Sequence, residues 1–209
     1  MITEHTKHKY EECYAKLILE HFLPEKFASL ILRDKPDLGD EIHNIGIEVT
    51  EAASPGYKEA ETLWYSMYEK SKEKQIKAIV RMKKLGYEYS KVMGWPMNEY
   101  ENGDLGVYNI VFEAVQKKLK KLNDHSYSKY GSMHLFILTY LWISEEITEV
   151  FLQALSEMEK TYRDRYDVIY IAAQNTFFEF NLRYMTWQSF DMNDVQYSLA
   201  VAAKKICDP

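Results

Sequence analysis

Two apolar runs do most to limit what this chain can become. His134 to Ile143 is nearly continuous in apolar residues, and Asp167 to Ala173 repeats the pattern further on. Runs this short and this uniformly apolar read as strands buried on both faces, which belong at the centre of a sheet covered by helices. Between them, Ser144 is expected to cap a helix whose inner face is Ile147, Val150, Phe151, Ala154, Leu155 and Met158, recurring at helical spacing. Strand, helix, strand demands a crossover connection. The fold class expected is therefore α/β, a mixed central β-sheet flanked by helices.

The flanking segments extend that pattern. Tyr10, Cys13, Tyr14, Leu17, Ile18 and His21 form one helical stripe, and Pro24 closes it. Phe27 to Leu32 reads as a strand, Leu38 to Asn44 as a turn, and Ile45 to Thr50 as a second strand. Ser54-Pro55 is a helix start, with a side chain that caps and a proline suited to the first turn. Ala60, Leu63, Trp64, Met67, Ser71, Ile79 and Met82 continue its periodic face to about Leu85. Gly94, Pro96, Gly103 and Gly106 mark residues 86–106 as an irregular insertion. Val107 to Leu122 reads as a helix with Val111, Ala114, Val115, Leu119 and Leu122 inward, Phe177 to Leu182 as a strand, and Asn193 to Ile206 as a final helix. No repeat, low-complexity tract or linker divides the chain, so residues 1–209 are expected to form a single domain with the insertion around 86–106.

Chemistry concentrates at Pro36-Asp37 and, ten residues on, Ile47-Glu48-Val49-Thr50. Alternation along a strand puts Glu48 and Thr50 on one face, and a hairpin would bring Asp37 alongside Glu48. A hard cation such as Mg²⁺ needs only one or two carboxylates when waters and a phosphate supply its other ligands. The pattern resembles the motif of the PD-(D/E)XK nuclease superfamily: Pro-Asp, a spacer, then an acid, any residue, and Lys. Thr50 stands where that Lys would be. The resemblance implies a restriction-endonuclease-like fold, a Mg²⁺ or Mn²⁺ ion on Asp37 and Glu48, and a catalytic set of Asp37, Glu48 and Thr50. It also implies metal-dependent endonuclease or exonuclease activity on DNA or RNA, weakened by a threonine that lacks the lysine's charge. Families of this kind often bring an acid from the first helix, which makes Glu20 a third candidate. Lys35 and Lys58 are the nearest replacements in sequence for the missing cation. The plainer reading makes Pro36-Asp37 an ordinary turn and Glu48 an exposed strand residue.

The formal net charge of −6 opposes nonspecific affinity for nucleic acid, which comes from lysines and arginines neutralising phosphates. Binding would have to be local. Lys70, Lys72, Lys74 and Lys77 form one cluster, and Lys117, Lys118, Lys120 and Lys121 another; each also fits the solvated face of an amphipathic helix. The seventeen tyrosines suit packing, or base stacking on single strands. The two cysteines lie near opposite ends and form no framework, and the start of the chain is polar, so a cytoplasmic location is expected. No apolar run reaches the ~20 residues of a membrane span, so no membrane partner is expected. His5, His8 and Cys13 fit no standard zinc spacing, and His21 and His134 read as core-edge residues rather than a base. Two function classes remain: a nuclease, and a non-enzymatic module on the same fold that binds nucleic acid or protein.

Overall fold

A computed structural model describes residues 9–67, 70–88, 97–98, 108–124 and 130–207. The chain forms two compact units, one of residues 1–52 with 111–209 and the other of residues 53–110. The second unit takes in not only the expected insertion around 86–106 but also the helical segment before it. No described helix is long and apolar enough to cross a membrane.

The first unit is built on a seven-stranded mixed sheet flanked by helices. In chain order it contains helices α1 (Tyr10–Phe22) and α2 (Pro24–Phe27), then strands β1 (Ile31–Leu32), β2 (Leu38–Asp40) and β3 (Ile45–Ala52). After the second unit come α5, of which residues 111–123 belong here, β6 (Ser132–Thr139), α6 (Thr148–Glu159), β7 (Val168–Ala173), β8 (Thr176–Asn181), β9 (Thr186–Asp191) and α7 (Gln196–Cys207). The sheet order is β1-β2-β3-β6-β7-β8-β9. The central strands β3, β6 and β7 are parallel, whereas the pairs toward both edges are antiparallel.

Alternation along the strands divides the core into two layers. Ile45, Ile47 and Val49 of β3 share one cluster with Cys13, Ala15, Ile18 and Leu19 of α1, Ala203 of α7, and Phe136, Tyr170 and Phe177 from the neighbouring strands. On the other face, Phe112 of α5 stacks on Phe151 of α6 with centroids 4.9 Å apart, and Phe151 meets Phe180 of β8 at 5.6 Å. Burying such aromatic pairs removes large apolar areas from water and adds roughly 0.5–1.5 kcal/mol per pair beyond area alone. Asn123 anchors the end of α5, donating to the Asp164 carbonyl at 2.9 Å and accepting from its N–H at 3.0 Å.

Several sequence expectations need correction. Phe27 to Leu32 is not one strand: Pro24 opens the single turn α2, as a proline at the first helical position does, and only Ile31–Leu32 pairs. Leu38 to Asn44 is not all turn, because Leu38, Gly39 and Asp40 pair with Ile47, Gly46 and Ile45. Ser144 makes no side-chain cap; a 3₁₀ turn at Glu145–Ile147 precedes α6, whose buried face is Thr148, Phe151, Leu152, Leu155 and Glu159, with Val150 exposed. Strand β9 was not foreseen, because its half-exposed edge position leaves little apolar alternation.

The second unit contains α3 (Pro55–Ser66), α4 (Lys72–Lys84), the antiparallel pair β4 (Tyr87–Glu88) and β5 (Met97–Asn98), and the start of α5 (Asn109–Asn123). Ser54 Oγ accepts from Tyr57 N–H at 3.0 Å, the capping expected of Ser-Pro. The expected single helix to Leu85 is two helices. Ser71, read as part of a continuous face, instead holds extended backbone as the residue before α4, and Gln75 caps the Met67 and Lys70 carbonyls. Most of residues 86–106 lies outside the described residues, as does Val107.

Candidate functional site

Gly46 explains how the Pro36-Asp37 segment comes to lie against β3. A Cβ at position 46 would stand 2.8 Å from Pro36 Cγ, 2.8 Å from Tyr130 Cδ2 and 2.9 Å from Met133 Sδ. Only glycine leaves room for these side chains to close over the strand. The pairing of Leu38 with Ile47 then sets Asp37, the next residue back, beside Glu48. Leu38 and Ile47 belong to the layer beneath α1. Asp37 and Glu48 alternate to the opposite face, the one α5 covers, and Thr50 shares that face two residues beyond Glu48.

Lys35 is exposed, and the cation that the structure shows at this place lies far along the chain. It comes from α5. Lys118 Nζ donates to Glu48 Oε2 at 2.6 Å and lies 3.7 Å from Asp37 Oδ2. Those two carboxylate oxygens are therefore no further apart than the two distances laid end to end, whereas one Mg²⁺ at about 2.0–2.1 Å from each would need them within roughly 4.2 Å. The Lys118, Glu48 and Asp37 side chains retain 11%, 4% and 15% of their exposure, so their interaction is far less screened than a surface ion pair. Asp37 Oδ2 also accepts from Val49 N–H at 2.6 Å, which supplies a partner to a strand amide beyond the end of the β2 pairing. Asp37 thus has a structural duty alongside any chemical one.

The reading of Lys117, Lys118, Lys120 and Lys121 as one solvated face is corrected at Lys118. Lys117, Lys120 and Lys121 are exposed, whereas Lys118 is buried. The signal was present in the sequence: Lys118 falls three residues after Val115 and four before Leu122, on the stripe that buries Val111, Val115 and Leu122. A lysine in an apolar stripe requires a buried anionic partner.

Glu20 takes no part. It pairs with Lys16 on α1, and α1 packs on the opposite layer of the sheet from Glu48. Among the described residues no group of three or more His, Cys, Asp or Glu side chains converges in a way that would hold a metal. Two carboxylates beside a lysine nevertheless match what Mg²⁺ or Mn²⁺ asks of a protein when water and a phosphate fill the remaining positions. His5 and His8 lie outside the described residues.

A second polar row crosses the α1 side of the sheet. Lys26 Nζ donates to Tyr170 Oη at 2.8 Å and to Glu179 Oε1 at 2.9 Å. Tyr170 Oη lies 3.2 Å from His134 Nδ1, His134 Nε2 lies 2.9 Å from Ser132 Oγ, and Ser132 Oγ donates to Asp167. With the proton of His134 on Nε2, each donor in the row has an acceptor. Burial, reinforced by Lys26, lowers the pKa of His134 well below the ordinary histidine value and keeps the ring neutral. The row satisfies buried polar groups between strands and leaves His134 no open side for a substrate. His21, by contrast, is an exposed residue of α1 whose ring meets Phe22 edge-on.

Compared with known proteins, the chain matches no protein-family model, and neither a curated protein nor a solved structure is significantly similar to it.

Proposed function

We propose that Asp37, Glu48 and Lys118 form a phosphodiester-hydrolysing site of the PD-(D/E)XK type on a restriction-endonuclease-like fold, dependent on Mg²⁺ or Mn²⁺ and acting on DNA or RNA. The observation that supports this reading best is the Lys118 ammonium against both carboxylates, because it supplies from α5 the positive charge that Thr50 lacks. A bound divalent ion would polarise the phosphodiester and lower the pKa of a coordinated water. Asp37 and Glu48 would hold the ion by their carboxylate oxygens. Lys118, a compact charge with rotatable donors, would be displaced from Glu48 toward a phosphate oxygen or the attacking water and would stabilise charge there. Thr50, on the same face, offers a hydroxyl to the same region and no charge.

A second reading has a specific observation in its favour. The Lys118–Glu48 pair closes the site in the protein alone, and the net charge of −6 gives the surface no general attraction for phosphates. On that reading the trio is a buried structural ion pair in a module that binds other macromolecules. Nicking of supercoiled plasmid in Mn²⁺ separates the two. The nuclease reading expects cleavage by the wild type and at least a hundredfold loss in Asp37→Asn and in Lys118→Met. Absence of cleavage by the folded wild type on both DNA and RNA supports the interaction module.

A further inference from the structure

Helices α1 and α7 pack together on the layer remote from Glu48, which brings the two ends of the described chain into contact. Cys13, in the first turn of α1, is fully buried, whereas Cys207, the last residue of α7, is partly exposed. The Cys207 thiol donates to Cys13 Sγ. They are the only two cysteines in the sequence, and the phosphodiester chemistry proposed above uses neither.

We propose that Cys13 and Cys207 form a reversible redox site, a dithiol that closes to a disulfide and staples the C-terminal helix to the N-terminal one. The co-reactant is a small disulfide of the oxidised-glutathione type. Exposure fixes the order of events. An external disulfide reaches Cys207 and does not reach Cys13. Burial above all, reinforced by the Cys207 sulfur, pushes the Cys13 thiol up to about 12, which makes Cys13 a poor source of thiolate for a first attack. The Cys207 thiolate therefore attacks one sulfur of the small disulfide. Its S–S bond breaks, a mixed disulfide forms at Cys207, and one small thiol leaves. Cys13 then attacks Cys207 Sγ and expels the second small thiol, which takes up the Cys13 proton. Two protein thiols are oxidised, one small disulfide is reduced, and both protons end on the released thiols.

The two residues are 194 positions apart, so closure restricts the unfolded chain across nearly its whole length. The contact of the two sulfurs puts Cys13 within reach of Cys207 for the closing step. The staple would act on the layer that α1 and α7 share with Ile45, Ile47 and Val49, the residues of β3 that alternate with Glu48.

The test uses the full chain incubated with oxidised glutathione, read by intact mass, peptide mapping and thermal unfolding. The expected result is a monomer that has lost two hydrogens, a Cys13–Cys207 cross-linked peptide, and a Tm raised by several degrees and restored by dithiothreitol. Cys13→Ala should stop at the glutathione adduct on Cys207, and Cys207→Ala should take up no adduct. Retention of both thiols by the wild type, an adduct that never resolves, or cross-links only between chains would overturn the proposal. An adduct on Cys13 in Cys207→Ala would overturn the order of attack on which it rests. Should Cys13→Ala fail to fold, the peptide map of the wild type still decides the matter.

Discussion

Replacing Lys118 with methionine isolates the energetics of the site. Methionine keeps the length and most of the volume of the stem, so the change removes the ammonium with little effect on packing in α5. What remains is a carboxylate with 4% of its exposure and a second with 15%, on one face of the sheet and without the cation that lay 2.6 Å and 3.7 Å from them. Removing one partner of a buried ion pair costs about 3–5 kcal/mol, since the surviving charge stays desolvated and uncompensated. Asp37 retains its bond from Val49 N–H, which limits its share of that cost. Glu48→Gln alone should cost less, because Lys118 keeps Asp37 as a partner. The double variant Glu48→Gln/Lys118→Met should be more stable than the sum of the singles requires, by a coupling of about 1–3 kcal/mol. Urea denaturation at neutral pH, with unchanged m-values as the check on the denatured state, measures all four corners. A Lys118→Met variant within about 1 kcal/mol of wild type, or strict additivity in the cycle, would refute the claim that Lys118 is bound to these carboxylates in solution.

Two further perturbations test neighbouring parts of the account. Burial raises the pKa of Glu159 to about 8 from the ordinary 4.5. The folded state therefore holds a proton that the unfolded chain releases, and stability falls as pH rises from about 4.5 through about 8, by roughly 5 kcal/mol in all. Glu159→Gln should abolish that decline and should gain on wild type at pH 8.5 relative to pH 5 in denaturant titrations; parallel pH profiles would show that Glu159 ionises normally. Gly46→Ala should cost about 1–3 kcal/mol by overpacking against Pro36 and Tyr130, and should weaken any metal-dependent stabilisation by pushing Asp37 away from Glu48. A stable variant with an unchanged metal response would remove Gly46 from the argument.

The strands at the centre of the sheet were legible because burial on both faces leaves long apolar runs: β7 lies within the segment read that way, and β6 overlaps its segment from His134 to Thr139, starting two residues earlier and stopping before Tyr140. The start of α3 was legible because a serine cap and a first-turn proline are local chemistry. Elements defined by their partners were not. Strand β2 is three residues long and contains Gly39, so its sequence looks like a turn and only the register with β3 makes it a strand. The break between α3 and α4 hid behind an unbroken helical period, with Ser71 as its one local mark. At the site, Asp37, Glu48 and Thr50 could be singled out by spacing, since they are close in sequence. Lys118 is 70 residues from Glu48, and proximity along the chain pointed to Lys35 and Lys58 instead. Its place in the buried stripe of α5 was the available clue, and it marks the lysine as buried without naming the acid it meets.

The central claim is that Asp37 and Glu48 jointly hold a divalent cation, and chemical denaturation with and without Mn²⁺ tests it most directly. A ion that binds only the folded protein raises its stability by RT ln(1 + [L]/Kd), about 2.7 kcal/mol at a hundredfold excess over Kd. Wild type should show that gain. Asp37→Asn should fold, lose the gain entirely and lose any cleavage with it. Equal stability of wild type with and without Mn²⁺ up to millimolar concentrations, or an equal gain in Asp37→Asn, would contradict the metal site and leave the Asp37, Glu48 and Lys118 cluster as a structural ion pair.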